Sequence, residues 1–213
     1  MAVVKQETQQ QIAPRKVPRL LERYRKEIAP SLAKTFGHAN LLAVARIEKI
    51  VLNIGCGEAA HDAKILEAVQ ESMSALSGQR PVVTRAKVAI SNFKIRAGDP
   101  VGCKVTLRRD RMYEFLDRLV SIALPRIRDF RGLNPTGFDQ GGNYSFGIDE
   151  LTIFPEVHPD RLPSSLGMDI TLVTSAESRE EALTLLKGFG MPFIKPSPTQ
   201  AVIQEQSETV SNH

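Results

Sequence analysis

The stretch from Gly102 to Arg109, "GCKVTLRR", alternates strictly. Cys103, Val105 and Leu107 fall on one side, and Lys104, Thr106 and Arg108 on the other. A period of two belongs to a β-strand and separates an apolar face from a polar one. A sheet containing such a strand has one face packed on a core and one face in water. The rest of the chain must therefore supply a cover for one side only.

Helical spacing supplies it. In "PRLLERYRKEIAPSLAKTFG", Leu21, Tyr24, Ile28, Leu32 and Phe36 recur on one face, with Pro30 as a kink point. "EAAHDAKILEAVQESMSALSG" aligns Ile65, Leu66, Val69, Met73 and Leu76, and Gly78 ends the helix. Asp110 is expected to cap a helix through about Ala123 that turns Tyr113, Leu116 and Val120 inward. Ser178 and Glu181 stand in capping-box spacing before a last helix that stops at Gly188. "RIEKIVLNIG", "PVVTRAKV" and "MDITLVTS" read as further strands. "YSFGIDELTIF" reads as two strands meeting at a tight turn, and the segment after Pro125, rich in Gly, Asn and Pro, as a long loop. Strands and helices do not alternate regularly. The expected class is α+β: one domain with an antiparallel or mixed sheet, helices on one face, and protruding loops.

The expected domain spans 18–195. Residues 1–17 are Gln-rich and residues 196–213 polar, so both read as disordered arms. No apolar run approaches the ~18 residues of a membrane span, and the N-terminus carries no signal-peptide stretch. Cys56 and Cys103 form no CxxC pair and read as buried free thiols of a reducing compartment. His38, His61, His158 and His213 are scattered, and no metal site is expected.

Charge is unevenly placed. The net charge of +4 divides into +3 over residues 1–79, +8 over 80–131 and −7 over 132–213. A segment at +8 within a nearly neutral chain attracts polyanions. Lys, Thr and Arg on the outward face of 104–108 suit phosphates and ribose hydroxyls. RNA fits better than DNA, because no helix-turn-helix, zinc-finger or basic-zipper pattern is present.

One motif points elsewhere. "IVLNIGCGEAA" is a strand, a Gly-x-Gly and a helix, as in the first motif of S-adenosylmethionine-dependent methyltransferases. Asn53 stands where that family has an acid, and Ala59 where it has a third Gly. The next strand ends without an acid for the ribose hydroxyls. Ser91 and Ser121 lack a nucleophile-elbow context, and there is no HExxH or Walker A sequence. Asp149 and Glu150 are turn neighbours. No enzyme is expected and no cofactor is implied.

"FKIRAGDPVGCKVTLRRDRMYEF", "PRIRDFRGLNPTGFDQGGNYSFGI" and "IFPEV" closely resemble the bacterial type of large-subunit ribosomal protein five, the 5S-rRNA-binding family. The likeness runs from about residue 20 to Lys195, in order. The departures are the two tails, Asp99 before Pro100, and Arg109 where a small turn residue is usual. The resemblance implies a structural constituent of the large subunit, cytoplasmic and on the ribosome, bound to 5S rRNA in the central protuberance. Carried over, the RNA-facing positions are Asn53, Gln79 and Thr106; Thr84, Lys104 and Arg108 join them by charge and face. Loop 88–98 resembles the family's loop that reaches P-site tRNA, with Ser91, Asn92, Phe93, Lys94 and Arg96 at or near its tip. Phe93 reads either as a contact or as an anchor folding the loop back. Segment 126–146 resembles the part that meets a small-subunit head protein across the inter-subunit bridge. Further implied partners are 23S-type rRNA and neighbouring proteins of the central protuberance. A generic RNA chaperone is the alternative among binding proteins.

Overall fold

A computed structural model describes residues 17–57, 63–157 and 166–194. Its centre is a five-stranded sheet of β1 (Ile47–Gly55), β2 (Val82–Arg85), β3 (Pro100–Leu107), β4 (Tyr144–Ile148) and β5 (Met168–Thr174). The order is β2-β3-β1-β5-β4, and every neighbouring pair is antiparallel. The outcome matches the alternation: Cys103, Val105 and Leu107 are buried, whereas Lys104 and Thr106 are exposed.

Four helices cover the buried face: α1 (Arg19–Arg23, Tyr24–Ile28 and Ala29–Phe36 in succession), α2 (Ala63–Ser77), α3 (Arg109–Arg118, Leu119–Ala123 and Leu124–Arg126) and α4 (Arg179–Gly188). Helix α2 lies on β3 and α3 on β1, while α1 packs on α3 and α4. Ile50, Leu52 and Ile54 of the central strand are fully buried with Val69, Met73, Leu116 and Leu119. Each such side chain contributes about 1.5–3 kcal/mol by leaving water. Tyr24 stacks on Phe189 at 5.9 Å and donates its hydroxyl to the Ala45 carbonyl at 3.0 Å, tying α1 to α4 and to the approach to β1.

Three local expectations need correction. The helix expected to stop near Ala123 continues to Arg126. Just before Pro125 it widens by one residue, with Leu124 N–H donating to Leu119 O; α1 does the same before Pro30, with Ala29 N–H donating to Tyr24 O. A π-turn makes room for a ring that has no N–H and would otherwise strike the carbonyl four residues back. Asp110 lies inside the first turn of α3 rather than at its cap; extended Arg108 precedes the helix, whose first residue is Arg109. The second half of "YSFGIDELTIF" is a 3₁₀ turn, Leu151–Ile153, and not a strand. Leu151, Ile153 and Phe154 are all buried, a pattern that a two-residue period cannot satisfy.

The long loop between α3 and β4 is held by aromatic packing. Phe138 lies 4.6 Å from Tyr144 and 5.9 Å from Phe193, and the Tyr144 hydroxyl donates to Asn134 O at 2.9 Å. Both cysteines are buried and free, as expected. Among the described residues no helix is long and apolar enough to cross a membrane. The arms expected at 1–17 and 196–213 lie outside the described residues, apart from Val17.

Candidate nucleic-acid interface

The open face of the sheet gathers the sequence-predicted RNA residues. Lys104 stands opposite Asn53 on one side and Val82 on the other, and Asn53 in turn stands opposite Asp169. Directly opposite residues of antiparallel strands share a face, so Lys104, Asn53 and Asp169 form one row across β3, β1 and β5. The next row carries Thr106, Val51, Thr171 and Ser145, with the Ser145 and Thr171 hydroxyl oxygens 3.1 Å apart. Thr84 lies one row the other way, opposite Gly102. Gln79 precedes β2 and donates its Nε2–H to Thr106 O at 3.0 Å. That carbonyl lies beyond Lys104, where the β2 pairing ends; the side chain satisfies a backbone group that the short strand leaves over. Arg108 is exposed and extended immediately after β3. Five of the six positions therefore share the open face, and Gln79 adjoins it at the edge of β3.

Seven of the thirteen cations of 80–131 fall into two groups. Arg118 pairs with Glu156 and donates to Leu76 O at 2.8 Å, so it holds α3 to α2. Arg85 donates to Gly98 O at 2.8 Å, and Arg126 to Ile153 O at 3.4 Å. These three serve the fold. Among the described residues Lys94, Arg96, Lys104 and Arg108 form no ion pair with a carboxylate, and all four are exposed. Unneutralised, exposed charge is an attractor for phosphate.

Loop 88–98 is a small hairpin. Ile90 and Ile95 exchange backbone hydrogen bonds at 2.9 and 3.2 Å, and Ala86 and Asp99 close the base at 2.9 Å. The Asp99 carboxylate accepts Arg96 N–H at 2.7 Å, which gives this departure from the family pattern a local task. Ser91–Phe93 form the tip, and Lys94 turns the chain with φ of 53°. Phe93 is 68% exposed and therefore does not anchor the loop back.

Sequence reasoning missed Asp169. Apart from Glu48 at the irregular start of β1, it is the one carboxylate on the described strands, and it accepts Asn53 Nδ2–H at 3.4 Å. In the sequence it is merely the polar member of an alternating pair. Only the pairing of β1 with β5 brings it to Asn53.

Comparison with known protein families supplies the frame. Residues 100–193 match the C-terminal model of the ribosomal L5 family, and residues 40–96 match that of ribosomal protein L5. The large ribosomal subunit protein uL5 of Caldanaerobacter subterraneus subsp. tengcongensis is 55% identical over 177 residues, which are 83% of this chain and 99% of the relative. Those of Symbiobacterium thermophilum and Geobacter sulfurreducens are 52% and 53% identical over 174 and 175 residues, each covering 82% of this chain and 97% and 98% of the relatives. The Gly-x-Gly after β1 is thus no methyltransferase motif. By these matches, the chain belongs to the uL5 family of large-subunit ribosomal proteins, a structural and non-enzymatic constituent of the ribosome in the cytoplasm.

Proposed function

We propose that the open sheet face binds 5S rRNA in the central protuberance, that loop 88–98 contacts P-site tRNA, and that segment 126–146 meets a small-subunit head protein across an inter-subunit bridge. The observation that carries the reading is the contiguity of Asn53, Thr84, Lys104, Thr106 and Arg108 on the open face, with Gln79 adjoining it at Thr106. Lys104 and Arg108 answer phosphates, while the amides and hydroxyls answer ribose and base edges. The exposed tip, with one aromatic ring and two cations, suits a second RNA partner. 23S-type rRNA and neighbouring proteins of the protuberance adjoin the same domain. The binding unit is residues 18–195.

Titration of labelled 5S rRNA with the protein at several salt concentrations tests the site. Lys104→Ala is expected to reduce the magnitude of the slope of log affinity against log salt by about 0.7–0.9, one phosphate contact. Asn53→Ala is expected to weaken binding by about 1 kcal/mol with an unchanged slope. If Lys104→Ala keeps the wild-type slope, the open face is not the phosphate-binding surface.

A further inference from the structure

A carboxylate on a phosphate-binding face needs a reason. Asp169 is exposed, has no ion-pair partner among the described residues, and lies one strand from Asn53 and two from Lys104. Opposite it on β4 stands Gly147, where even a Cβ would sit 3.6 Å from Asp169 Oδ1, so that flank of the carboxylate is open. Repulsion of phosphate by Asp169 would weaken an interface whose only task was to hold the RNA backbone.

Hydrogen-bond capacity gives the reason. An ionised carboxylate only accepts. It can engage Asn53 only through the amide nitrogen, and it does so at 3.4 Å. This fixes which way the Asn53 carboxamide is turned: one N–H goes to Asp169, and the Oδ1 acceptor is left for a ligand. The same device operates at the other end of the site. Gln79 commits an Nε2–H to Thr106 O at 3.0 Å, leaving Oε1 free to accept. Two carboxamides that could each present either end are thus both turned with the oxygen available.

We propose that Asp169 is a positioning residue for RNA recognition: it locks the Asn53 carboxamide so that the open sheet face offers acceptors to hydrogen-bond donors of the RNA, while phosphates are held by the cations at Lys104 and Arg108. The donors that an A-form helix displays in its wide, shallow minor groove are ribose 2′-hydroxyls and the guanine amino group. The face therefore has a polarity: the RNA backbone lies toward β2 and β3, and the groove lies over β1, β5 and β4, where Thr171 and Ser145 add hydroxyls. This inference rests on the assignment of the sheet face to 5S rRNA.

Affinity for 5S rRNA, measured for wild type, Asp169→Asn and Asp169→Ala with thermal melting as the folding control, tests it through the sign of the effect. Charge alone predicts that removing an anion tightens binding to a polyanion. Loss of the lock predicts the opposite: about three- to tenfold weaker binding, with the salt slope unchanged. In the Asn53→Ala background, Asp169→Asn should no longer weaken binding, because there is no carboxamide left to turn; only the loss of the anion remains, and affinity should be unchanged or higher. Repeating the pair on 5S rRNA with inosine for guanosine, and on RNA carrying 2′-deoxyriboses, identifies the donor: the penalty should vanish on one of them. Tighter or unchanged binding by both Asp169 variants, or a penalty that survives in both modified RNAs, overturns the proposal alone. Wild type without preference for 5S rRNA over a length-matched RNA overturns the underlying assignment, and this proposal with it.

Discussion

Replacing Arg109 with Gly should stabilise the protein while weakening its hold on RNA. Arg109 opens α3 with φ of 54°, in the left-handed region. For an L-residue with a Cβ this conformation costs roughly 1–2 kcal/mol. Glycine removes that strain but gives the unfolded chain more freedom, which takes back about 0.4–1 kcal/mol. Arg109 is exposed and makes no ion pair among the described residues, so no favourable contact is lost with it. The net gain is about 0–1.6 kcal/mol, centred near 0.8 kcal/mol. For a domain of this size, 1 kcal/mol moves the melting temperature by about 2–4 °C, so a rise of about 1–4 °C is expected in thermal unfolding followed by circular dichroism. Arg109→Ala keeps the strained backbone and should show no such rise. A melting temperature for Arg109→Gly at or below wild type would refute the reasoning from backbone strain. The same variant removes a cation beside the basic strand and should weaken 5S rRNA binding, so the two effects carry opposite signs.

Gly102→Ala should destabilise: the added Cβ would strike the Ile54 carbonyl oxygen, and β1 and β3 must part to admit it. Overpacking of this kind costs about 1–3 kcal/mol, readable as a lower urea midpoint. Burial, and secondarily the neighbouring Cys56, raise the Cys103 thiol from 9.0 to about 11. Its stabilising effect is fully present below pH 9.0 and is lost as pH rises through about 11; in the native protein at about pH 8 it should resist alkylation that proceeds readily in denaturant. Replacing residues 92–97 with a short Gly-Ser turn should leave 5S rRNA binding within twofold of wild type and speed dissociation of P-site tRNA from ribosomes carrying the variant. Loss of 5S rRNA binding would assign the loop to the main RNA site.

How much of this was legible follows from the range of each interaction. The alternation at 102–109 suffices for β3 and for which of its residues face water, because a strand's period is local. The buried faces of α2 and α3 are legible for the same reason. The outcome at Pro30 and Pro125 is not: a proline signals interrupted hydrogen bonding, but whether the helix ends or widens into a π-turn depends on the packing beyond it. Leu151, Ile153 and Phe154 read as a strand because three apolar residues in four fit several patterns; burial of all three in a turn decides the matter. The loop before β4 has the composition of a flexible connection, yet Phe138, Tyr144 and Phe193 hold it together across more than fifty residues of sequence. Asn53, Gln79 and Thr106 stand out from other polar residues only through the resemblance to a family. Asp169 acquires meaning only through a contact 116 residues away in sequence, which no local pattern carries.

A sheet face shaped for one RNA must prefer it over polyanions in general. The most direct measurement is competition at physiological salt: the protein bound to labelled 5S rRNA, challenged in parallel with unlabelled 5S rRNA and with a length-matched RNA of the same base composition. Nonspecific attraction to phosphate is common to both competitors, so any difference reports the amide, hydroxyl and carboxylate groups around Asn53. 5S rRNA should displace the label at a concentration at least a hundredfold lower, about 2.7 kcal/mol. That preference should collapse in the double variant Asn53→Ala, Thr106→Ala. Equal displacement by the two RNAs would contradict recognition of 5S rRNA by this face and leave a general RNA chaperone in its place.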